Sequence, residues 1–377
     1  MPKISWSVRR YVPSVVDVST SVLSFSYSQG RQNYLDQYSG GTLSVTLKNQ
    51  TNVAQYFTFN SVWQIFDADS GETQFFWMQD ISFDDYPGNT GLSTITVSLV
   101  DVLARNGRNV VSSVVLAQAA TVTQLQNLWR TAPYQIGDLQ GSGGGSSTAA
   151  GITYSGSMLN YLNLIAATEK GLLNFSGDQT NMIPRNYVAN TVSGMSFTRN
   201  TASASAISYF AFGHDRAGLN FINNVTVLPN GLASQTATNS TSLSSYGNAQ
   251  QSVSTVDATT TQALGLAEWL SSSQADPEAE TWSLTFQDIP QNTTALTNFL
   301  YAFYGVSGSG MRLWNLVYRV PGASSDTTVV VAIEGITVDA SPEQTTFTVY
   351  FSPATYYQFF TLDSSTLGIL DTSRLGW

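Results

Sequence analysis

Residues Gly30–Asn49 read GRQNYLDQYSGGTLSVTLKN. From Thr42 to Leu47 the stretch alternates: Leu43, Val45 and Leu47 face one way, and Thr42, Ser44 and Thr46 face the other. This two-residue period marks a half-buried antiparallel strand, one face on a core and one toward water or a partner. Upstream lie Arg31, Asp36 and the Gly40-Gly41 pair, which pose a choice between chemistry and scaffolding. Gly40 and Gly41 are expected to allow a tight or bulged backbone into the strand. Arg31 and Asp36 are expected to make local or intersubunit polar contacts.

The same period recurs in STITVSL (Ser93–Leu99) and TTFTVYF (Thr345–Phe351), so antiparallel sheet dominates. Helices are few. Ser157 is placed to cap one in which Met158, Tyr161, Leu162 and Ile165 share a face, with Gly171 as its stop. Ala263, Leu266, Ala267 and Leu270 repeat that spacing, with Pro277 beyond the end, and Val122–Trp129 is a shorter candidate. Gly137–Gly151, GDLQGSGGGSSTAAG, reads as a loop with too little apolar surface to order itself. No Gly-Lys-Ser/Thr follows it, so it is not a phosphate-cradling loop.

An internal repeat is visible. Ser24–Gln29 resembles Ser196–Asn200, and GGTLSVTLKN resembles NFINNVTVLPN (Asn220–Asn230). Asp80–Asp84 (DISFD) leads through a Pro-Gly turn to STITVSL, as Ile333–Asp339 leads through Ser-Pro-Glu to TTFTVYF. Two strand-turn-strand pairs in the same order indicate two copies of one barrel-like unit. The Ala263–Leu270 helix falls between the halves of the second copy, which places it in a separate α+β domain.

The 377 residues suffice for roughly two to four modest domains. Only 11% of residues are charged and the net charge is -10, which argues against a nucleic-acid binder, since phosphates need clustered Lys and Arg. The chain has no Cys and one His, His214, which removes disulfides, thiolate chemistry and multi-His metal sites. No run approaches a membrane span, and MPKISWSVRRYV lacks the apolar core of a signal peptide. A cytosolic product that ends in a soluble location is expected.

Candidate chemistry yields to plainer readings. His214-Asp215 has no partner motif for acid-base work and reads as a loop or sheet-edge histidine. Asp84-Asp85 opens a turn, Asp-Asp-Tyr-Pro-Gly-Asn, where Asp caps backbone. Asp67, Asp69 and Glu72 lack the spacing of a tight calcium loop. The sequons at Asn49, Asn174, Asn224, Asn239 and Asn292 are what a Thr- and Asn-rich chain contains by chance. The dense run Tyr356-Tyr357-Gln358-Phe359-Phe360 suits a sugar platform, but core or subunit interface is the commoner fate of such clusters. No catalytic residue, cofactor site or metal site is assigned.

The ordered segments GRQNYLDQYSGGTLSVTLKNQTN, FWMQDIS, STITVSLVDVLARNG, Gly156–Arg185, Tyr246-Gly247 with LAEWL, and the C-terminal TLDSSTLGILDTSRLGW resemble the minor tail proteins of long-tailed bacteriophages. The resemblance spans nearly the whole chain. It implies a tail-tip hub protein related to the baseplate hubs of contractile phages, trimers whose subunits each give two similar barrels. The fold class expected is mainly β (β+α): two similar antiparallel β-barrel domains, an inserted small α+β domain and a C-terminal extension. The division is 1–112 for the first barrel, 113–192 with 240–305 for the α+β domain, 193–239 with 306–352 for the second barrel, and 353–377 for the extension. The implied function is that of a non-enzymatic virion protein: a homotrimeric hub joining the sixfold tail tube to the threefold tip. Its implied partners are a distal tail or tail-tube ring and a central fibre or tip protein. Viral DNA passes through without specific binding, and nothing inserts in a membrane. Its place is the virion tail tip, after assembly in the host cytoplasm. Acidic charge suits a channel that repels phosphates. The alternatives are a receptor-binding module gripping host-surface glycans through Tyr and Trp clusters, and a tail-associated hydrolase, which needs facing carboxylates or a metal site.

Overall fold

The computed structural model describes residues 4–34, 36–48, 58–67, 71, 73–88, 90–132, 139–141, 145, 147–177, 179–185, 192–215, 221–275, 281–304, 313–320 and 322–357. It is mostly β, built on a mixed 14-stranded sheet. The main strands of its first half are β1 (Trp6–Val12), β2 (Val22–Gly30), β3 (Thr42–Lys48), β4 (Val62–Asp67), β5 (Thr73–Asp84) and β6 (Thr94–Val100). Those of the second half are β7 (Val192–Thr198), β8 (Ala211–Asp215), β9 (Thr281–Gln287), β10 (Leu313–Tyr318), β11 (Thr327–Ala340) and β12 (Thr345–Pro353).

The halves share one strand order. The first runs β2-β3-β6-β5-β4-β1 and the second β8-β9-β12-β11-β10-β7, each label raised by six. Register agrees as well. Ile81 faces Val97 and Asp84 faces Thr94 in one hairpin; Ile336 faces Val349 and Asp339 faces Thr346 in the other. Both hairpins carry a bulge at the same place, Met78/Asp80 and Ile333/Gly335. The last strands of these two orders differ in direction, since β1 is antiparallel to β4 while β7 is parallel to β10. Among the described residues no pairing closes either half into a barrel.

The repeat is real, but two of its expected correspondences shift. Leu43, Val45 and Leu47 of β3 face Leu99, Val97 and Ile95; Trp282, Leu284 and Phe286 of β9 face Phe351, Val349 and Phe347. The counterpart of TLSVTLK is therefore TWSLTFQ (Thr281–Gln287), not Asn220–Asn230. The counterpart of β2 is likewise β8, not the strand at Ser196. A long insertion between β8 and β9 hides the match. Asn224–Pro229, inside that insertion, pairs with Gln235–Thr238 and Gln250–Thr255 in a separate three-stranded sheet.

One core runs through both halves, from Val45, Val97 and Trp63 to Phe197, Phe347 and Phe351. Six α-helices are described: α1 (Val102–Arg108), α2 (Thr121–Thr131), α3 (Met158–Glu169), α4 (Ser240–Tyr246), α5 (Thr260–Ser273) and α6 (Thr293–Tyr304). Helix α6 fills the second half's share of the core, where Phe299 meets Phe286 edge-on at 5.3 Å. A second core joins α1, α2 and α3 to the antiparallel strand pair of Val110–Leu116 and Ile152–Ser157. A third lies between the three-stranded sheet and α5. Residues 224–238 thus sit with α5 rather than with the second half, and Thr281–Gln287 and α6 sit with the second half rather than with the α+β unit.

The expected helices form. Ser157 accepts from the Asn160 N–H and caps α3, and the shared-face residues of α3 and α5 are buried. The stop differs: Lys170, not Gly171, takes the left-handed conformation at φ 49°. The 137–151 segment is more than a loop. Leu139–Gly141 pairs with Gln179–Ile183, Thr148–Ala149 pairs with Ala119–Ala120, and Leu139 and Ala149 are buried in the second core. Available strand edges and two apolar anchors order these two stretches where composition alone would not. Residues 137, 138, 142–144 and 146 of that segment, and residues 358–377 of the C-terminal extension, lie outside the described residues.

Candidate functional site

The halves meet where β2 pairs antiparallel with β11, Gly30 opposite Gly335. Strand β11 pairs with β10 through Thr327–Ala332, then hands that edge to β2 from Gly335 onward. Gly30 has φ +88°, and a Cβ there would lie 2.7 Å from the Gly335 Cα. A Cβ on Gly335 would lie 2.9 Å from the Gln29 carbonyl oxygen. Only paired glycines let the backbones approach so closely.

That approach brings the next side chain on each strand together. Arg31 Nε donates to Glu334 Oε2 at 2.7 Å, Arg31 Nη2 donates to the Tyr357 hydroxyl at 2.9 Å, and that hydroxyl donates to Glu334 Oε1 at 2.5 Å. The guanidinium also lies 5.0 Å from the Tyr34 ring centre and 4.8 Å from that of Tyr38. Burial alone would lower the Arg31 pKa, but Glu334 and the neighbouring tyrosines raise it well above the arginine range. Burial, followed by the Glu334 charge, holds the Tyr357 hydroxyl protonated far above its usual value. Arg31 is therefore a long-range intrachain link, not a local or intersubunit contact. Asp36 is local, accepting from the Asn33 N–H at 3.0 Å.

The rest of the opening stretch docks on the other cores. Tyr34 packs with Trp269 and Tyr357, while the Tyr38 backbone exchanges two hydrogen bonds with the Asn163 amide of α3. The Gly40-Gly41 pair is required by packing against α1, since a Cβ on Gly41 would lie 2.6 Å from Asp101 Oδ2. Asp101 caps α1 through the Ala104 N–H, and burial pushes its pKa up to about 7. A cleft of about 470 Å³ opens beside the junction, lined in part by Arg31, Tyr34, Tyr38, Asn163 and Lys170. Burial, then the Arg31 and Arg185 charges, lowers the Lys170 pKa to about 7. The arrangement locks chain segments together.

The sequence candidates scatter. His214 lies on β8, which pairs with β9 alone among the described strands, in an aromatic group with Phe212, Trp282 and Tyr318. Asp85 accepts from the Ser93 hydroxyl, holding the β5–β6 turn. Asp67 is buried at the end of β4, and Asp69 and Glu72 lie outside the described residues. Among the described residues no three His, Asp or Glu side chains are grouped to hold a metal ion. Two sequon asparagines cap helices: Asn239 accepts from the Ser242 N–H ahead of α4, and Asn292 from the Thr294 N–H ahead of α6. Asn224 bonds to Asn248; the Asn174 side chain and Asn49 lie outside the described set. Tyr357 is buried in the junction and Tyr356 packs on Tyr34, while residues 358–360 are not among those described. Sequence reasoning missed Glu334. Its signal is one acid inside the apolar run VVVAIEGITV.

A scan against protein-family models finds no match, and a search of curated proteins finds none either. Solved structures do share the fold. A prophage MuSo2 43 kDa tail protein from Shewanella oneidensis matches over 94% of this chain and 98% of its own, at 12% identity and a TM-score of 0.59. A tail protein from Neisseria meningitidis MC58 matches over 93% and 96%, at 11% identity and a TM-score of 0.62. An E. coli component of the type VI secretion system, described as similar to T4 bacteriophage tail proteins gp27 and gp5, matches over 92% and 76%, at 8% identity and a TM-score of 0.51. At these identities the likeness establishes the fold.

Proposed function

We propose that this chain is a structural, non-enzymatic virion protein of a phage tail: a trimeric hub joining the sixfold tail tube to the threefold tip and lining the DNA ejection channel. The observation that carries the reading is the repeat in strand order and register. One chain offers two near-equivalent units, so three chains offer six to a tube ring and three to a fibre. A closed ring of this kind requires heterologous contacts. Each half, on this reading, is one barrel-like unit, and the segments centred on α3 and α5 are insertions on that frame.

The tail proteins that share the fold, and the net charge of -10, support the reading. An acidic lumen resists adhesion of a phosphate backbone. Against the glycan-binding reading, Tyr357 is not offered to a ligand, because it is committed to the junction.

Mass photometry of the purified protein, followed by symmetry-resolved electron microscopy with tail-tube protein added, tests the proposal. Trimers docked on a sixfold ring are expected. A monomer at every concentration, with or without tube protein, would overturn it.

A further inference from the structure

The intrachain seam between β2 and β11 has two equivalent strand edges left over. In the second half, β11 beyond its bulge is covered by β2 through Gly335–Ala340. In the first half, β4 covers β5 only through Thr73–Trp77; beyond the bulge, the same edge at Asp80–Asp84 meets no described strand. Conversely, β2 uses both edges, on β3 and β11, whereas its counterpart β8 pairs among the described strands with β9 alone. Among the described strands, each chain thus carries one copy of each side of its own seam with no strand paired to it.

Side-chain burial points the same way. Val338 of β11 is 0% exposed, and its counterpart in β5, Phe83, is 52% exposed. A large apolar residue on an uncovered strand edge is the pattern of an interface, and Asp80 and Asp84 beside it discourage indiscriminate pairing.

We propose that the Asp80–Asp84 edge of β5 pairs antiparallel with β8 of a neighbouring copy of this chain, reproducing the β2–β11 seam between molecules. The seam fixes the register. Within the chain Thr337 faces Ser28, Val338 faces Tyr27 and Asp339 faces Ser26. By the shared β6/β12 and β3/β9 registers, Ser82 faces Asp215, Phe83 faces His214 and Asp84 faces Gly213 across the contact. Donor and acceptor edges differ, so the contact is head-to-tail and propagates until it closes. The inference rests on the ring-forming reading above and names the surface that makes the ring.

The absence of cysteine makes disulfide trapping clean. Facing residues of an antiparallel pair bring their Cβ atoms within disulfide reach. Three double variants are oxidised under mild conditions: Ser82→Cys with Asp215→Cys, in register between chains; Ser82→Cys with Ala211→Cys, four residues out of register; and Ser28→Cys with Thr337→Cys, the intrachain equivalent. The first is expected to give covalent dimers and trimers on non-reducing gels, the second to lose them, and the third to close within one chain. Mass photometry runs alongside. A trimer in which the third variant closes but the first yields no interchain product overturns the edge pairing and leaves the hub reading standing. Equal interchain product from the first and second overturns the register. A monomer throughout overturns both proposals.

Discussion

Arg31 and Glu334 stand 303 positions apart in sequence, yet their side chains meet with only 6% and 0% of their surface exposed. A buried ion pair is weak evidence of net stability, because desolvating both charges offsets most of their attraction. Its consequence is asymmetry, in that losing either partner strands the other.

Arg31→Met is therefore expected to cost about 3–5 kcal/mol, and Glu334→Met a similar amount, while the double variant recovers much of the loss. Urea unfolding of the four proteins gives the cycle. Additive single effects would show that the two charges are not coupled.

Gly30→Ala meets both an unfavourable φ of +88° and the backbone of Glu334 and Gly335. Gly231→Ala, at φ +77° with nothing within 4 Å, meets only the first. The Gly231 change is expected to cost about 1–2 kcal/mol, the Gly30 change clearly more. Matched thermal melts check it, and equal costs would remove the close approach from the account.

Stability is expected to pass through a trough near neutral pH. Folded Asp101 keeps its proton up to about pH 7, against an ordinary 3.8, so its stabilising contribution is full below pH 3.8 and lost as pH rises through 7. Folded Lys170 loses its proton near pH 7, against an ordinary 10.5, so its destabilisation is relieved as pH climbs from 7 to 10.5. Asp101→Asn should flatten the acid arm and Lys170→Met the alkaline one, each read from denaturant midpoints against pH. Unchanged arms in both variants would refute the assignment.

Asn292→Ala removes the cap of α6 and should cost about 1 kcal/mol; Asn292→Asp, which keeps the acceptor, should cost far less. Phe299→Ala, deeper in the same helix, should cost about 3–5 kcal/mol. Equilibrium denaturation ranks the three, and a different order would misplace the helix in the core.

Alternation made β3, β6 and β12 legible, because a half-buried strand writes its burial directly into sequence. The matched hairpins DISFD–STITVSL and GITVD–TTFTVYF were legible for the same reason. The partner of TLSVTLK was not, although TWSLTFQ shares its Thr-x-Ser-x-Thr frame, because an inserted sheet and helix displace it from the expected interval. Helix α6 escaped notice because Phe299, Tyr301, Phe303 and Tyr304 favour strands by composition, and only the surrounding core selects a helix. Glu334 was invisible as a site residue, since its meaning resides in an arginine at the other end of the chain. The Gly40-Gly41 pair marks a close backbone approach in the sequence itself, but nothing adjacent to it announces the helix that crowds it.

Strand β11 spans 14 residues and is bonded to β10, β2 and β12. One uninterrupted backbone thus serves as a girder beneath both halves. Force that pulls the halves apart along it loads a row of hydrogen bonds in shear, the stiff direction, rather than opening them one at a time. The two halves of one molecule are thereby coupled through a shared strand, and in the proposed ring any widening would fall on the joints between copies.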